Sequence, residues 1–512
     1  MKSSIIIGIS MFAANLLAQT PVITKVLNAG IGDTSFAPLS IVYIYGSFPA
    51  GQARDFSITV GGVAGYVNVA NSTGYITAVL PPGAPLGQQP LVISYQGNNS
   101  APYPITLAAY APEFETVTVV PVTSTGPQFP LASYYPIAHS NLTPVTPAAP
   151  AAPGERLVSL LSGMGTTSPP IKLGAINSFE SLTVQPTILV GNLNAPVARA
   201  GSSGTSVEVD FYVPGGTTPD YWPVVLNIAS YRSNIVNIPV ATQPLVTAVL
   251  NAGSFGSSGT VAPGSIVSIF GIGFGPADNL TAFPSTNPNG TSAMFGTTAA
   301  PIYALATVEG QINAQVPAEL ATSGTVALTV TSNLGVSSTM TLNLAPAVPG
   351  MFYYPDPTVS TRRNAVALIG NTQWIAMPTS MAGAMGLPNN CAAVSPQSTC
   401  GHPAHIGDVL QVFVTGLGKA TPEGDPNALA LATGTVAPAG ANPLYMTVQQ
   451  PIVTIGGAPA QVQFSGIAPG FAGLYQVNVQ IPAGIQTGDD VPITIAMPGS
   501  TVDKATIAVS AQ

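Results

Sequence analysis

Residues 473–482 read GLYQVNVQIP, and apolar and polar positions alternate through them. Tyr475, Val477, Val479 and Ile481 stand against Gln476, Asn478 and Gln480, and Pro482 closes the run. A period of two predicts a strand with one buried face. The phrase returns at 310–317 as GQINAQVP, and in looser form at 74–81 (GYITAVLP) and 205–214 (TSVEVDFYVP). With Pro81, Pro214, Pro317 and Pro482 aligned, the preceding position holds Leu80, Val213, Val316 and Ile481. Two residues back stand Ala78, Phe211, Ala314 and Val479, and two further back Ile76, Val209, Ile312 and Val477. The other face carries Thr77, Asp210, Asn313 and Asn478; with Gln311, Gln315, Gln476 and Gln480 it reads as a solvated row. Proline cannot donate to a ladder, so each copy ends where pairing ends.

Every copy is followed by a second strand, at 90–95, 223–230, 325–332 and 491–498, and then by a hairpin holding Ser100, Ser233, Ser337 or Ser500. A glycine-bearing segment precedes three of the copies, at 60–67, 295–305 and 455–464. A coarser repeat is also present. PVITKVLNAG at 21–30 matches PLVTAVLNAG at 244–253, and APGERLVSLLSGMG at 152–165 matches HIGDVLQVFVTGLG at 405–418. The chain therefore reads as two long repeats, 21–242 and 244–511, each of two modules. The expected fold class is all-β, tandem immunoglobulin-like sandwiches. The expected modules are 20–110, 111–242 with a Pro-rich insertion (140–155, a spacer or loop), 244–346, and 347–512 with a Cys-containing insertion near 353–404.

Composition sharpens this picture. With 53 Gly and 51 Pro in 512 residues, long helices are disfavoured, and the 6% charged content leaves Ser, Thr, Asn and Gln to cover the surface. Net charge is −8 and no basic stripe is present, which argues against nucleic-acid partners. Residues 1–18 read as a signal peptide: Lys2, an apolar stretch over 5–14, and small residues before Gln19. That stretch is too short to span a bilayer comfortably, and no other run is long enough, so a secreted or cell-surface location is expected. Cys391 and Cys400, nine apart, predict a local disulfide in an oxidising compartment.

The ordered motifs VLNAGSFGSSGTVAPGSIVSIFGIGFGP, GQINAQVP, GDVLQVFVTGLG and GLYQVNVQIP, spread over 244–511, resemble an uncharacterised C-terminal domain family of secreted acidobacterial proteins. The single modules are similar to IPT/TIG domains, with GSIVSIFGIGFG standing for their early strand and Gly-rich turn. The resemblance implies an immunoglobulin-like fold and export, and it brings no catalytic residue.

Candidate chemistry is sparse. Cys391, Cys400, His402 and His405 form C-x8-C-x-H-x2-H, a spacing unlike that of structural zinc sites, and no metal is assigned. Gly271, Gly273 and Gly275 lack the βαβ context of a dinucleotide loop, so no cofactor is assigned. The three histidines include His139, which reads as an exposed loop residue, and no G-x-S-x-G elbow occurs. Glu423, Asp425, Asp489 and Asp490 read as turn acids. Tyr134, Tyr135, Tyr221, Trp222, Tyr353, Tyr354 and Trp374 are the candidate ligand contacts, able to stack on sugar rings if exposed in a row and otherwise core residues. The expected role is non-catalytic adhesion or scaffolding outside the cell, with a protein or polysaccharide partner. The alternatives are a carbohydrate-binding protein and an extracellular hydrolase sited in the last module's insertion.

Overall fold

The computed structural model describes residues 20–30, 32–71, 74–115, 136–175, 177–204, 206–256, 259–275, 277–279, 285–440 and 442–511. The signal-peptide assignment at 1–18, and Tyr134 and Tyr135, lie outside them. The described residues form eight β-sheets, taken in pairs along the chain, and one α-helix, Thr379–Ala384. No helix among them is long and apolar enough to cross a membrane.

The aligned phrases are the central strands of four of these sheets. Tyr75–Val79 lies between Ile41–Ser47 and Tyr66–Asn71, and Val207–Tyr212 between Arg156–Ser162 and Val197–Ser202. Gln311–Gln315 lies between Ile266–Ile272 and Ile302–Ala306, and Tyr475–Gln480 between Val409–Thr415 and Gln461–Ile467. All these pairings are antiparallel, and the third strand of every set carries a bulge at the equivalent place: 67/69, 197/199, 302/304 and 462/464. The twelve inward positions aligned on the prolines are each at most 1% exposed. Opposite each central strand a second sheet forms around Gly87–Tyr95, Asp220–Ile228, Thr325–Ser332 or Gly488–Ala496. The chain is thus four immunoglobulin-like β-sandwiches in tandem.

Local chemistry repeats along with the cores. Ser100, Ser233, Ser337 and Ser500 each accept a backbone N–H, from Ile93, Leu226, Val330 and Met497, at 2.9–3.1 Å. These serines staple hairpins, which explains their recurrence without any nucleophilic role. The glycine-bearing hairpin also has a fourth member that the sequence pattern missed, Thr187–Val190 paired with Leu193–Ala195 across Gly191.

Three sequence expectations are corrected. Asp210, placed on the polar face, is fully buried because Arg156 and Arg199 on the neighbouring strands close over its Oδ2. His139 belongs to the strand Ile137–His139, and its Nδ1 lies 2.5 Å from Glu155 Oε1, so it is no exposed loop residue. The Pro-rich run is not an extended spacer: the Val145 N–H donates to Ile137 O, and Val145 and Ala151 are buried.

The chain divides into two compact units, Met1–Val145 with Ala151–Thr217 and Tyr221–Ile238, and Thr146–Pro150 with Thr218–Asp220 and Pro239–Gln512. Inside each unit the two sandwiches meet at a joint built from the coarser repeat. In the second unit, Asn251 of VLNAG is 3% exposed; its Nδ2 donates to Val348 O at 2.7 Å, and its Oδ1 accepts the N–H groups of Gly253 and Ser254. Val348 N–H in turn donates to Gly416 O, and the linker then pairs as Gly350–Met351 with Val409–Thr415. In the first unit, Ala111 N–H donates to Gly163 O, and Glu113–Phe114 pairs with Arg156–Ser162. Gly163 (φ 67°) and Gly416 (φ 77°) hold left-handed backbone, and a Cβ there would lie 2.0 Å from Ala111 O or 1.9 Å from Val348 O. That is why SGMG and TGLG keep glycine at this place.

Two substitutions test this account of the repeats by urea unfolding. Ile481→Ala truncates a core residue 1% exposed and should cost about 2–5 kcal/mol. Ser337→Ala leaves the buried Val330 N–H without its acceptor and should cost about 1–3 kcal/mol.

Candidate functional site

The joint of the first unit leaves a cleft of about 550 Å³. Three segments line it: 33–36, which follows VLNAG; 106–113, which runs from the first sandwich into the linker; and the hairpin 231–234 of the second sandwich. Asp33 is held by Ser35, whose N–H and hydroxyl donate to its two carboxylate oxygens at 2.9 Å. Asn234 Oδ1 accepts the linker N–H of Phe114 at 2.8 Å, which fixes the amide. Tyr110 and Tyr231 contact one another with ring centroids 5.7 Å apart and planes at 59°. Arg232 beside them is exposed and forms no ion pair among the described residues.

The second joint has the same frame but a different filling. Asp503 takes the part of Asn234, its Oδ2 accepting the Met351 N–H at 2.7 Å. Arg363 then occupies the space: its guanidinium lies 4.4 Å from the Tyr353 ring centroid and 3.6 Å from Asp503 Oδ1, and it donates to Ser254 O at 3.3 Å. Phe255 packs edge-on against the other side of Tyr353. At the first joint Glu113, 4% exposed, stands against Gly30 instead.

A second cleft, in the second unit and of about 410 Å³, lies under the loop around 429–434. Its lining is mostly apolar, with Leu320, Leu431, Ile467 and Tyr475, and Leu429 at its rim is 89% exposed. The loop is clasped at Thr433, which donates its N–H and its hydroxyl to the Glu319 carboxylate while its oxygen accepts the Ala318 N–H. Gly434 N–H donates to Gln315 Oε1 at 2.7 Å. Here the amide row departs from its solvated reading: Gln311 and Gln315 are each 4% exposed. The loop covers Gln315, and Gln311 is tied to Asn313 and Ser268. In the last sandwich Gln476, Asn478 and Gln480 remain half-buried.

Of the aromatic candidates, Tyr134 and Tyr135 lie outside the described residues. Tyr221 is 40% exposed, and Trp222 packs over the Gly191 turn. Tyr353 is engaged by Arg363, and Tyr354 packs on the cluster of Ile375, Met377, Met381 and Ala382, where burial raises its phenol. Trp374 donates Nε1–H to Ser395 O and meets His402 edge-on at 5.6 Å. Cys391 and Cys400 form the disulfide, with Cα atoms 5.6 Å apart, so neither thiolate is open to a metal. Among the described residues no three metal-ligating side chains converge. Burial holds the His402 imidazole below its usual value, which keeps it neutral. Among the turn acids, Asp425 accepts the Asn427 N–H, whereas Asp490 receives a two-point contact from Arg362, which also pairs with the buried Asp356. The sequence reading missed Tyr110, Tyr231 and Arg232. The serine hairpin of 223–234 was the available signal, since a repeated hairpin places YR at its tip.

No protein-family model matches the chain, and no curated protein does. Solved structures with similarity include the plexin A4 full extracellular region, domains 1 to 10, with TM-score 0.22 and 10% identity over 97% of this chain and 31% of that one. This chain therefore spans about a third of that plexin region. The central fibronectin-III array of RIM-binding protein gives TM-score 0.22 and 9% identity over 64% and 96%. SGBP-B from a complex xyloglucan utilization locus in Bacteroides uniformis gives 0.21 and 11% over 73% and 97%. Similarity at this level carries nothing about what the chain binds.

Both clasps have a pH signature. Burial raises the Asp503 carboxyl above 3.8, against the donated Met351 N–H and Arg363. The folded chain then holds that proton more tightly than the unfolded chain, so the contribution of Asp503 to stability falls as pH rises from about 3.8. Asp503→Asn, which copies Asn234, should stay within about 1 kcal/mol of the parent at pH 7 and flatten that slope, whereas Asp503→Ala should cost about 1–3 kcal/mol by urea unfolding. Glu319 moves the other way. Burial raises it, but the hydrogen bonds from Thr433 prevail and its pKa is lowered from 4.5. Its contribution is complete above 4.5 and is lost as pH falls through the lower folded value, so hydrogen exchange at Thr433 and Gly434, corrected for intrinsic rate, should accelerate on acidification.

Proposed function

We propose that the chain is an exported, non-catalytic binding scaffold, a member of the secreted acidobacterial family its motifs resemble, working outside the cell after loss of residues 1–18. Its modules are 20–110, 111–242, 244–346 and 347–512. The observation that carries this reading is the duplicated joint. Each linker becomes a strand of the following sheet, closed over by a glycine that no larger residue can replace. Such a joint suits a protein that holds binding surfaces at fixed spacing. Two further observations support it: the Cys391–Cys400 disulfide belongs with an oxidising compartment, and the recurrent serines are occupied by hairpin backbones.

Expression with a C-terminal tag in a bacterium with a general secretory pathway tests this. Mass spectrometry should find Gln19 as the mature N-terminus outside the cytoplasm, with the disulfide formed, and the purified chain should turn over none of a panel of glycosidase, esterase and protease substrates. A full-length cytoplasmic product would refute export. Turnover that disappears on changing Glu423, Asp425 or His405 would establish the hydrolase alternative instead.

A further inference from the structure

We infer that the cleft at the first joint binds a neutral oligosaccharide. The inference rests on the extracellular reading above and adds a site and a ligand class to it. A sugar ring needs three things from a protein: a flat apolar surface for its C–H face, donors for its hydroxyl oxygens and acceptors for its hydroxyl hydrogens. The cleft supplies all three. Tyr231, 38% exposed and braced by Tyr110, offers the surface. Arg232, unpaired among the described residues, offers a guanidinium fork able to meet two neighbouring oxygens, and Asn234, whose Oδ1 is committed to Phe114 N–H, has two Nδ2 hydrogens to donate. Asp33, held in place by Ser35, supplies the acceptor.

Charge selects among saccharides. Asp33 and Glu113 stand in the same lining as the one arginine, Arg232, so a polyanion meets no net positive field there. The volume of about 550 Å³ falls within the range of small-ligand sites and suits a short stretch of a chain more than a whole polymer. The second joint sharpens the assignment. There Arg363 stacks on Tyr353 and lies 3.6 Å from Asp503, so an arginine, a tyrosine and an acid brought by other strands engage one another. At the first joint, among the described residues, Arg232 makes no ion pair.

The test is calorimetric titration of the full purified chain with cellohexaose, mannohexaose and xylohexaose, with hexagalacturonate as the anionic arm. At least one neutral hexasaccharide should bind. Tyr231→Ala and Arg232→Ala should each weaken that binding by about tenfold with an unchanged thermal midpoint. Tyr231→Phe should retain it, since the ring carries the stacking, and Tyr212→Ala, which removes a 42%-exposed tyrosine elsewhere in the unit, should leave it unaltered. Arg232 is exposed and no part of a core, so its alanine variant keeps the test valid even if Tyr231→Ala unfolds. No binding of any neutral hexasaccharide, binding of hexagalacturonate alone, or full affinity in both alanine variants would overturn the site. Export and maturation are read separately by mass spectrometry, so failure of the scaffold reading and failure of this site are distinguishable.

Discussion

The architecture depends on satisfying the backbone where one sandwich hands the chain to the next. A linker buried between two hydrophobic cores carries N–H and C=O groups that water cannot reach, and each one left unpaired would cost about 1–3 kcal/mol. In the second unit Asn251 takes Val348 O and two N–H groups, Gly416 O takes Val348 N–H, and Asp503 takes Met351 N–H. In the first unit Gly163 O and Asn234 do the corresponding work at Ala111 and Phe114. The linker can pass so close only because glycine stands opposite it. The coarser sequence repeat is the imprint of this requirement.

The second constraint is the small number of charges. With 11 Lys+Arg and 19 Asp+Glu in 512 residues, hydration of the surface falls to amides and hydroxyls. Several of the charges that exist are drawn into pairs, some around a buried acid: Arg156 and Arg199 on Asp210, Arg362 on Asp356 and Asp490, and Arg363 on Asp503. A buried carboxylate such as Asp210 is tolerable when its charge is met by such partners, although its Oδ1 has no hydrogen-bond partner among the described residues. Against that background an arginine such as Arg232, exposed in a cleft and unpaired among the described residues, stands apart from the structural cations.

The two joints show how duplication separates frame from content. The clamp is retained in both units, but Asn234 in one is Asp503 in the other, and the acid brings Arg363 with it. Arg363 in turn engages Tyr353. Among the described residues Arg363, Tyr353 and Asp503 engage one another at one joint, and Tyr110, Tyr231 and Arg232 line a cleft at the other.

The two-residue rhythm, the proline stops and the recurrent serines were enough by themselves to fix the strands and the inward faces. Ile76, Val209, Ile312, Val477 and their aligned neighbours are buried as their alternation required, because a pleated strand with one apolar face has only one side to hide. The disulfide, too, was legible, since the two cysteines stand alone and close together in the chain. What the polar side of each strand meets was not legible. Asp210 and Gln315 occupy equivalent rows to Asn478 and Gln480, yet they are buried because an arginine pair or a loop distant in sequence closes over them. The same holds for the candidate site: Tyr110, Tyr231, Arg232 and Asp33 are scattered over two hundred residues, and only the folding of one sandwich against the next sets them around one cleft. Periodicity is a property of neighbours along the chain, whereas a binding site is a property of neighbours across it.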